Sequence, residues 1–172
     1  MNPFESGARK LIPAVLVYVK SVDGEVLMIH RNSKKNDYHH GKWNGLGGKL
    51  ESDESALEAA RRELKEESGL DLPAGCFAPL GSIHFPDFKP AKSEDWIVYM
   101  WIAQLSCRAS EATTTACSEG SLEWVKESDL LTLNLWEGDH FFIPYIIQEQ
   151  PFQGTIWYEG EKVTRHQILP LI

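Results

Sequence analysis

Glu54, Arg62, Glu63, Glu66 and Glu67 put four carboxylates and one guanidinium into a short stretch of chain. On a helix, Glu63 and Glu67 lie one turn apart on the same face, with Glu66 beside them. Like charges at these spacings cost helix stability. The cluster makes chemical sense if cations sit on it. Mg2+ prefers carboxylate oxygen, keeps several waters and bridges to substrate phosphates. Arg62 can pair with Glu54 or a neighbouring carboxylate and fix its orientation. Taken alone, an E-x-x-E-E run is more often a solvated, charge-rich helix face. The glycines around this one favour the metal reading. Gly45, Gly47 and Gly48 precede it and let backbone come close to a metal or a phosphate. No Gly-Lys-Ser/Thr opens the helix, so the segment is not a P-loop.

The element that must position these side chains is a helix over residues 53–68. That stretch lacks Gly and Pro and is rich in Ala, Leu, Glu and Arg. Ser52 and Asp53 are its N-cap candidates, with Glu54 near the positive end of the helix dipole. Gly69 is its stop. Ala56, Leu57, Ala60 and Leu64 form its apolar stripe. Around it, residues 11–20 read as a buried strand, joined through Asp23 and Gly24 to a second strand over 25–31. Residues 32–45 read as a basic, polar loop. Residues 76–85 and 96–105 read as a strand pair joined by a Pro-containing loop over 86–95. Residues 121–126 form a short strand, and 127–135 a helical turn capped by Ser128 and Asp129. Residues 138–150 read as a second helix with Phe141, Phe142, Tyr145 and Ile146 on its apolar face. Pro144 fits it best if the helix starts near Ile143. A hairpin over 152–158 and 162–168 closes the chain. Strands and helices mix without regular βαβ alternation, which predicts an α/β fold with a mixed sheet and helices on both faces.

Residues 48–70 match the pattern G-x5-E-x7-R-E-U-x-E-E-x-G-U, where U is a bulky aliphatic residue. Chance would give it on the order of once in 10^8 windows. The pattern is the Nudix box, so the chain resembles the Nudix hydrolases, which split nucleoside diphosphates linked to another group. The resemblance implies an α/β/α sandwich with a mixed central sheet. It also implies a catalytic set of Glu54, Arg62, Glu63, Glu66 and Glu67. Outside the box, residues 41–49 (GKWNGLGGK) and 135–144 (LWEGDHFFIP) are similar to the MutT-type enzymes that hydrolyse oxidised purine nucleoside triphosphates such as 8-oxo-dGTP. This resemblance runs at low similarity from about residue 11 to 168. It places metal ligands at the Gly47 carbonyl, Glu63, Glu67 and the distant Glu119, which doubles as a candidate base. It implies Mg2+, with Mn2+ as a substitute. Substrate contacts fall on Asn44, Trp136, Asp139, Tyr38 and Lys49.

An Asn amide offers a donor and an acceptor to a purine edge, and Trp offers a flat stacking surface. Alone, Trp136 would read as core and Asn44, before Gly45, as a turn residue. Together, at matching positions, they read as a purine pocket. The chain departs from the animal enzymes at Gly138, where those carry a second Asp beside the one matching Asp139. A single Asp points to a narrower preference, for the guanine form. His39 and His40 read as exposed loop residues able to meet phosphate when protonated, and Lys34, Lys35 and Lys42 as residues that steer an anion.

A chain of 172 residues fits a single domain over 1–172. Its formal net charge of −8 disfavours stable nucleic-acid or membrane-surface binding and leaves a phosphate substrate in need of cations. Cys76, Cys107 and Cys117 have no ligand spacing and read as reduced thiols of a cytoplasmic protein, here expected to be a monomer. No signal peptide or membrane span is read from the sequence. Other readings stay open: a Nudix hydrolase of triphosphorylated RNA 5′ ends or of ADP-ribose, to which Pro86, 16 residues after Leu70, lends weak support; an inactive Nudix-fold binding module; or a structural protein with a solvated charged helix.

Overall fold

The computed structural model describes residues 1–172. Its centre is a nine-stranded mixed sheet: β1 (Lys10–Lys20), β2 (Glu25–His30), β3 (Trp43–Asn44), β4 (Leu46–Lys49), β5 (Phe77–Lys89), β6 (Glu94–Gln104), β7 (Ser121–Lys126), β8 (Phe152–Glu159) and β9 (Lys162–Pro170). The main path runs β3-β2-β1-β6-β5-β8-β9, with β4 on β1 and β7 on β2. The pairs β1–β6 and β5–β8 are parallel; the others are antiparallel. One edge of β1 is shared: Ala14–Val17 pair with β4, and Val19 and Lys20 with β2. The sheet therefore parts beside β1, and a cleft opens there.

Period-two alternation in β1 sends Val15, Val17 and Val19 to one face and Tyr18 to the other. The first face packs against Ala59, Ala60 and Leu64 of α1 (Ala56–Ser68), and the second against Phe142, Ile143 and Ile146 of α2 (Asp139–Gln148). This is the α/β architecture with helices on both faces that the sequence implied.

Several local expectations are corrected. The N-cap of α1 is Ser55, not Ser52 or Asp53. Ser55 accepts from the Glu58 N–H at 3.2 Å and Glu58 accepts from the Ser55 N–H at 2.8 Å. Only Ser55 has a glutamate three residues on to complete this reciprocal box. Gly69 ends the helix at φ 78°, as expected. The buried stripe of α1 is Ala59, Ala60, Leu64 and Ser68, while Ala56 and Leu57 are half-buried at its margin. Residues 86–95 are not a loop: β5 and β6 run through them and turn in a 3-10 segment, Pro90–Lys92. A register shift between Phe85 and Lys89 accommodates Pro86, which has no N–H to give a ladder. Asp95 fastens the bulge by accepting from the Asp87 N–H at 2.9 Å and from Arg9. Helix α2 begins at Asp139 and carries Pro144 inside it. Proline has no N–H to give the carbonyl four residues earlier, on His140, so that helical bond is absent. The 3-10 turn over Glu127–Thr132 has no side-chain cap from Ser128 or Asp129. No helix is long and apolar enough to cross a membrane, and the three cysteines are free thiols.

Candidate active site

The cleft beside β1 measures about 900 Å3 including its open mouth. Its carboxylate end is built by β4 and α1. Gly47 has to be a glycine because backbone fills the space of a side chain there, and a side chain at Gly48 would displace the Glu63 carboxylate. A Cβ on Gly47 would lie 2.9 Å from the Val15 carbonyl carbon, and one on Gly48 would lie 2.7 Å from Glu63 Cδ. The missing side chain at 48 is the seat of the Glu63 carboxylate. The Gly47 N–H donates to Glu67 Oε2 at 2.9 Å. A strand residue's N–H and C=O leave on the same edge, so the Gly47 carbonyl also faces the Glu67 side.

Arg62 organises this end. Its Nε donates to Glu54 Oε1 at 2.6 Å and its Nη2 to Glu54 Oε2 at 3.0 Å, a bidentate fork. Nη1 reaches Glu63 at 2.9 Å and Glu66 at 3.2 Å, and Nη2 also reaches the Lys49 carbonyl at 3.1 Å. The pairing of Arg62 with Glu54 thus occurs as its spacing suggested. Burial raises the Glu63 carboxyl above the ordinary range, against the pull of Arg62. Glu67 rises to about 8, first because it is desolvated and then because Glu63 stands beside it. Two crowded, half-buried carboxylates form a donor set that a hard divalent cation satisfies. Glu119 stands apart. Arg31 Nη2 holds it at 2.7 Å and Lys34 Nζ at 3.6 Å. As they stand, no three acidic, His or Cys side chains converge on one point.

The other end of the cleft is apolar with a few polar groups. Asn44, Trp136 and Asp139 line it, together with Phe85, Phe88, Trp96, Phe142 and Tyr158. Burial lifts the Asp139 carboxyl to about 8, despite the opposing charge of Lys42. At neutral pH it is therefore protonated and can both donate and accept. Trp136 is buried, stacks on Tyr38 with centroids 5.1 Å apart, and donates its indole N–H to His39 Nδ1 at 2.8 Å. Tyr38 and Lys49 stand outside the cleft wall: Tyr38 is exposed behind Trp136, and Lys49 lies over Trp96 at 5.3 Å.

His39 departs from expectation. It is half-buried and lines the cleft, and desolvation followed by the Arg31 charge lowers its pKa to about 4, so it is neutral. His40 is exposed, as expected. Sequence reasoning also missed Arg31, Phe88, Lys89, Trp96 and Tyr158. The straightened β5–β6 hairpin delivers Phe88, Lys89 and Trp96. Phe85 and Phe88 stand three residues apart, so no two-residue alternation marked this stretch; the register shift beside Pro86 lets both reach the cleft.

A model of the NUDIX domain matches residues 10–146. The chain belongs to the Nudix family. This Nudix hydrolase is 30% identical over 156 residues to an oxidized purine nucleoside triphosphate hydrolase of Danio rerio, with 90% of each chain covered. It is 27% identical over 128 residues to the protein of the same description from Mus musculus, covering 74% of this chain and 77% of that one. Among solved structures, it resembles a MutT protein from Bacillus halodurans with a TM-score of 0.76 at 23% identity, covering 91% of this chain and 97% of the other. That last likeness concerns the fold.

Proposed function

We propose that this Nudix hydrolase converts an oxidised purine nucleoside triphosphate such as 8-oxo-dGTP to the monophosphate and pyrophosphate, as a cytoplasmic enzyme of nucleotide-pool sanitation. The observation that carries the reading is the continuity of one cleft. Asn44, Trp136 and Asp139 line the end suited to a purine, and Gly47 and Glu67 line the end suited to a metal-bound phosphate chain. The names of the Danio rerio and Mus musculus relatives favour the same substrate class.

In this reading Glu63, Glu67, the Gly47 carbonyl and Glu119 would hold Mg2+, with Mn2+ able to replace it. Bound Mg2+ supplies charge neutralisation and a water of lowered pKa. Arg62 aims Glu63, and the Gly47 N–H aims Glu67. Arg31, which lines the cleft, holds Glu119 at 2.7 Å. A carboxylate, either Glu119 or a box glutamate, takes the proton from the attacking water. Water oxygen bonds to phosphorus and the bond between the α and β phosphates breaks. Asn44 and the protonated Asp139 read the base while Trp136 packs against it.

The test is product analysis. With 8-oxo-dGTP and Mg2+, the expected products are 8-oxo-dGMP and pyrophosphate. A diphosphate with inorganic phosphate, or no reaction alongside rapid ADP-ribose cleavage, would overturn the proposal.

A further inference from the structure

Tyr158, on β8, brings a hydroxyl to the purine end of the cleft. The Gly138 N–H donates to Tyr158 Oη at 2.6 Å. Gly138 has an ordinary φ of −65°, so its backbone conformation does not demand glycine. Space does: a Cβ there would lie 3.1 Å from Tyr158 Cζ and closer still to the hydroxyl. The phenol tip thus fills the volume into which a side chain at 138 would project. The ring is wedged among Phe85, Phe88 and Trp136, each with its centroid 6.3 Å away. Desolvation and the neighbouring Asp139 keep the phenol protonated at all ordinary pH values.

A tyrosine hydroxyl carries one hydrogen and accepts through its oxygen. Here the oxygen is engaged by Gly138, and no protein acceptor takes the hydrogen. The group that remains on offer is a donor. Resting on the purine reading of the cleft, we propose that Tyr158 is a specificity-determining residue whose O–H donates to a carbonyl oxygen of the base, so that the cleft selects a 6-keto purine over a 6-amino purine. An amino group in the same place would meet the hydroxyl donor to donor and leave its own hydrogens unpaired, which is the kind of mismatch that discriminates strongly in a desolvated site.

The experiment compares kcat/KM for 8-oxo-dGTP and 2-oxo-dATP in the wild type and in Tyr158→Phe, with Mg2+ present. The wild type should favour the 6-keto substrate at least about tenfold, the effect of one well-placed hydrogen bond. Y158F should bring the ratio down by about the same factor, through KM rather than kcat. Calorimetric binding of 8-oxo-dGMP and 2-oxo-dAMP to the wild type reads the same preference without relying on the variant's folding. Equal affinity for the two monophosphates, or a ratio unchanged in folded Y158F, overturns the inference. If neither purine triphosphate is hydrolysed while ADP-ribose is, the purine reading itself fails.

Discussion

Glu67→Gln should abolish turnover and yet make the metal-free protein more stable in base. Glu67 has its pKa raised from 4.5 to about 8, with desolvation first and the Glu63 charge second among the causes. Its folded-state pKa lies above its unfolded value, so between pH 4.5 and 8 the folded protein keeps a proton that the unfolded chain has released. Stability is therefore lost as pH rises through this window and is level above it. At about 1.4 kcal/mol per pKa unit, the upper limit of the loss is about 5 kcal/mol. Partial exposure of the side chain and relaxation around Glu63 bring the figure down to roughly 2–3 kcal/mol. Gln keeps the acceptor for the Gly47 N–H and removes the charge. With about 2–4 °C per kcal/mol in a protein of this size, E67Q should melt roughly 5–10 °C above the wild type at pH 9 in EDTA. The two should converge near pH 5. Saturating Mg2+ should narrow or reverse the order, because the wild type, with Glu67 in place, gains more from the ion. Asp139 titrates in the same window, but it is common to both proteins and cancels in the difference. Thermal melts at four pH values, with EDTA and with Mg2+, make the comparison. An E67Q protein that melts below the wild type at pH 9 in EDTA would refute the reasoning.

Three further outcomes follow from the same geometry. Arg62→Lys cannot reproduce the fork to Glu54 while also reaching Glu63 and Glu66; kcat/KM should fall on the order of 10^2-fold, with a higher Mg2+ requirement, measured by pyrophosphate release across a Mg2+ titration. Gly48→Ala puts a methyl where the Glu63 carboxylate sits, so kcat should drop at least about tenfold while binding of 8-oxo-dGMP, followed by calorimetry, is retained. Asp139 loses its donor proton as pH passes about 8, so KM for 8-oxo-dGTP should rise more steeply there in the wild type than in Asp139→Asn, whose amide keeps a donor at every pH; equal slopes between pH 6.5 and 9.5 would refute it.

The carboxylate end was legible in the sequence because its information is local. Arg62, Glu63 and Glu66 lie within about one turn of a single helix, Glu54 stands just ahead of its N-cap and eight residues before Arg62, and Gly69 marks where that helix stops. The helix start was misplaced by three residues, since Ser52, Asp53 and Ser55 are all acceptable caps by type and only the reciprocal bond with Glu58 separates them. The apolar end, which we propose for a purine, was half legible. Asn44, Trp136 and Asp139 came from similarity to a family rather than from periodicity, and all three line the cleft. Its remaining walls were hidden because they depend on strand pairing over long distances. Pro86 made residues 86–95 look like a loop, whereas a bulge pinned by Asp95 absorbs it and carries Phe88, Lys89 and Trp96 inward. His39 looked like an exposed loop residue until Trp136, far along the chain, supplied its partner. Gly138 looked like a missing acid, and its reason lies in Tyr158, twenty residues on, whose hydroxyl accepts from its N–H.

The most direct test of the central claim, that one cleft reads an oxidised purine at one end and positions its phosphates for cleavage at the other, is a competition of substrates. Pyrophosphate or monophosphate release should be measured with Mg2+ for 8-oxo-dGTP, dGTP, ADP-ribose and an RNA carrying a 5′-triphosphate. The highest kcat/KM is expected for 8-oxo-dGTP, with dGTP behind it. A higher kcat/KM for ADP-ribose or for the RNA end would contradict the purine cleft, and no Mg2+-dependent hydrolysis of any of the four would contradict the catalytic reading of the carboxylates as well.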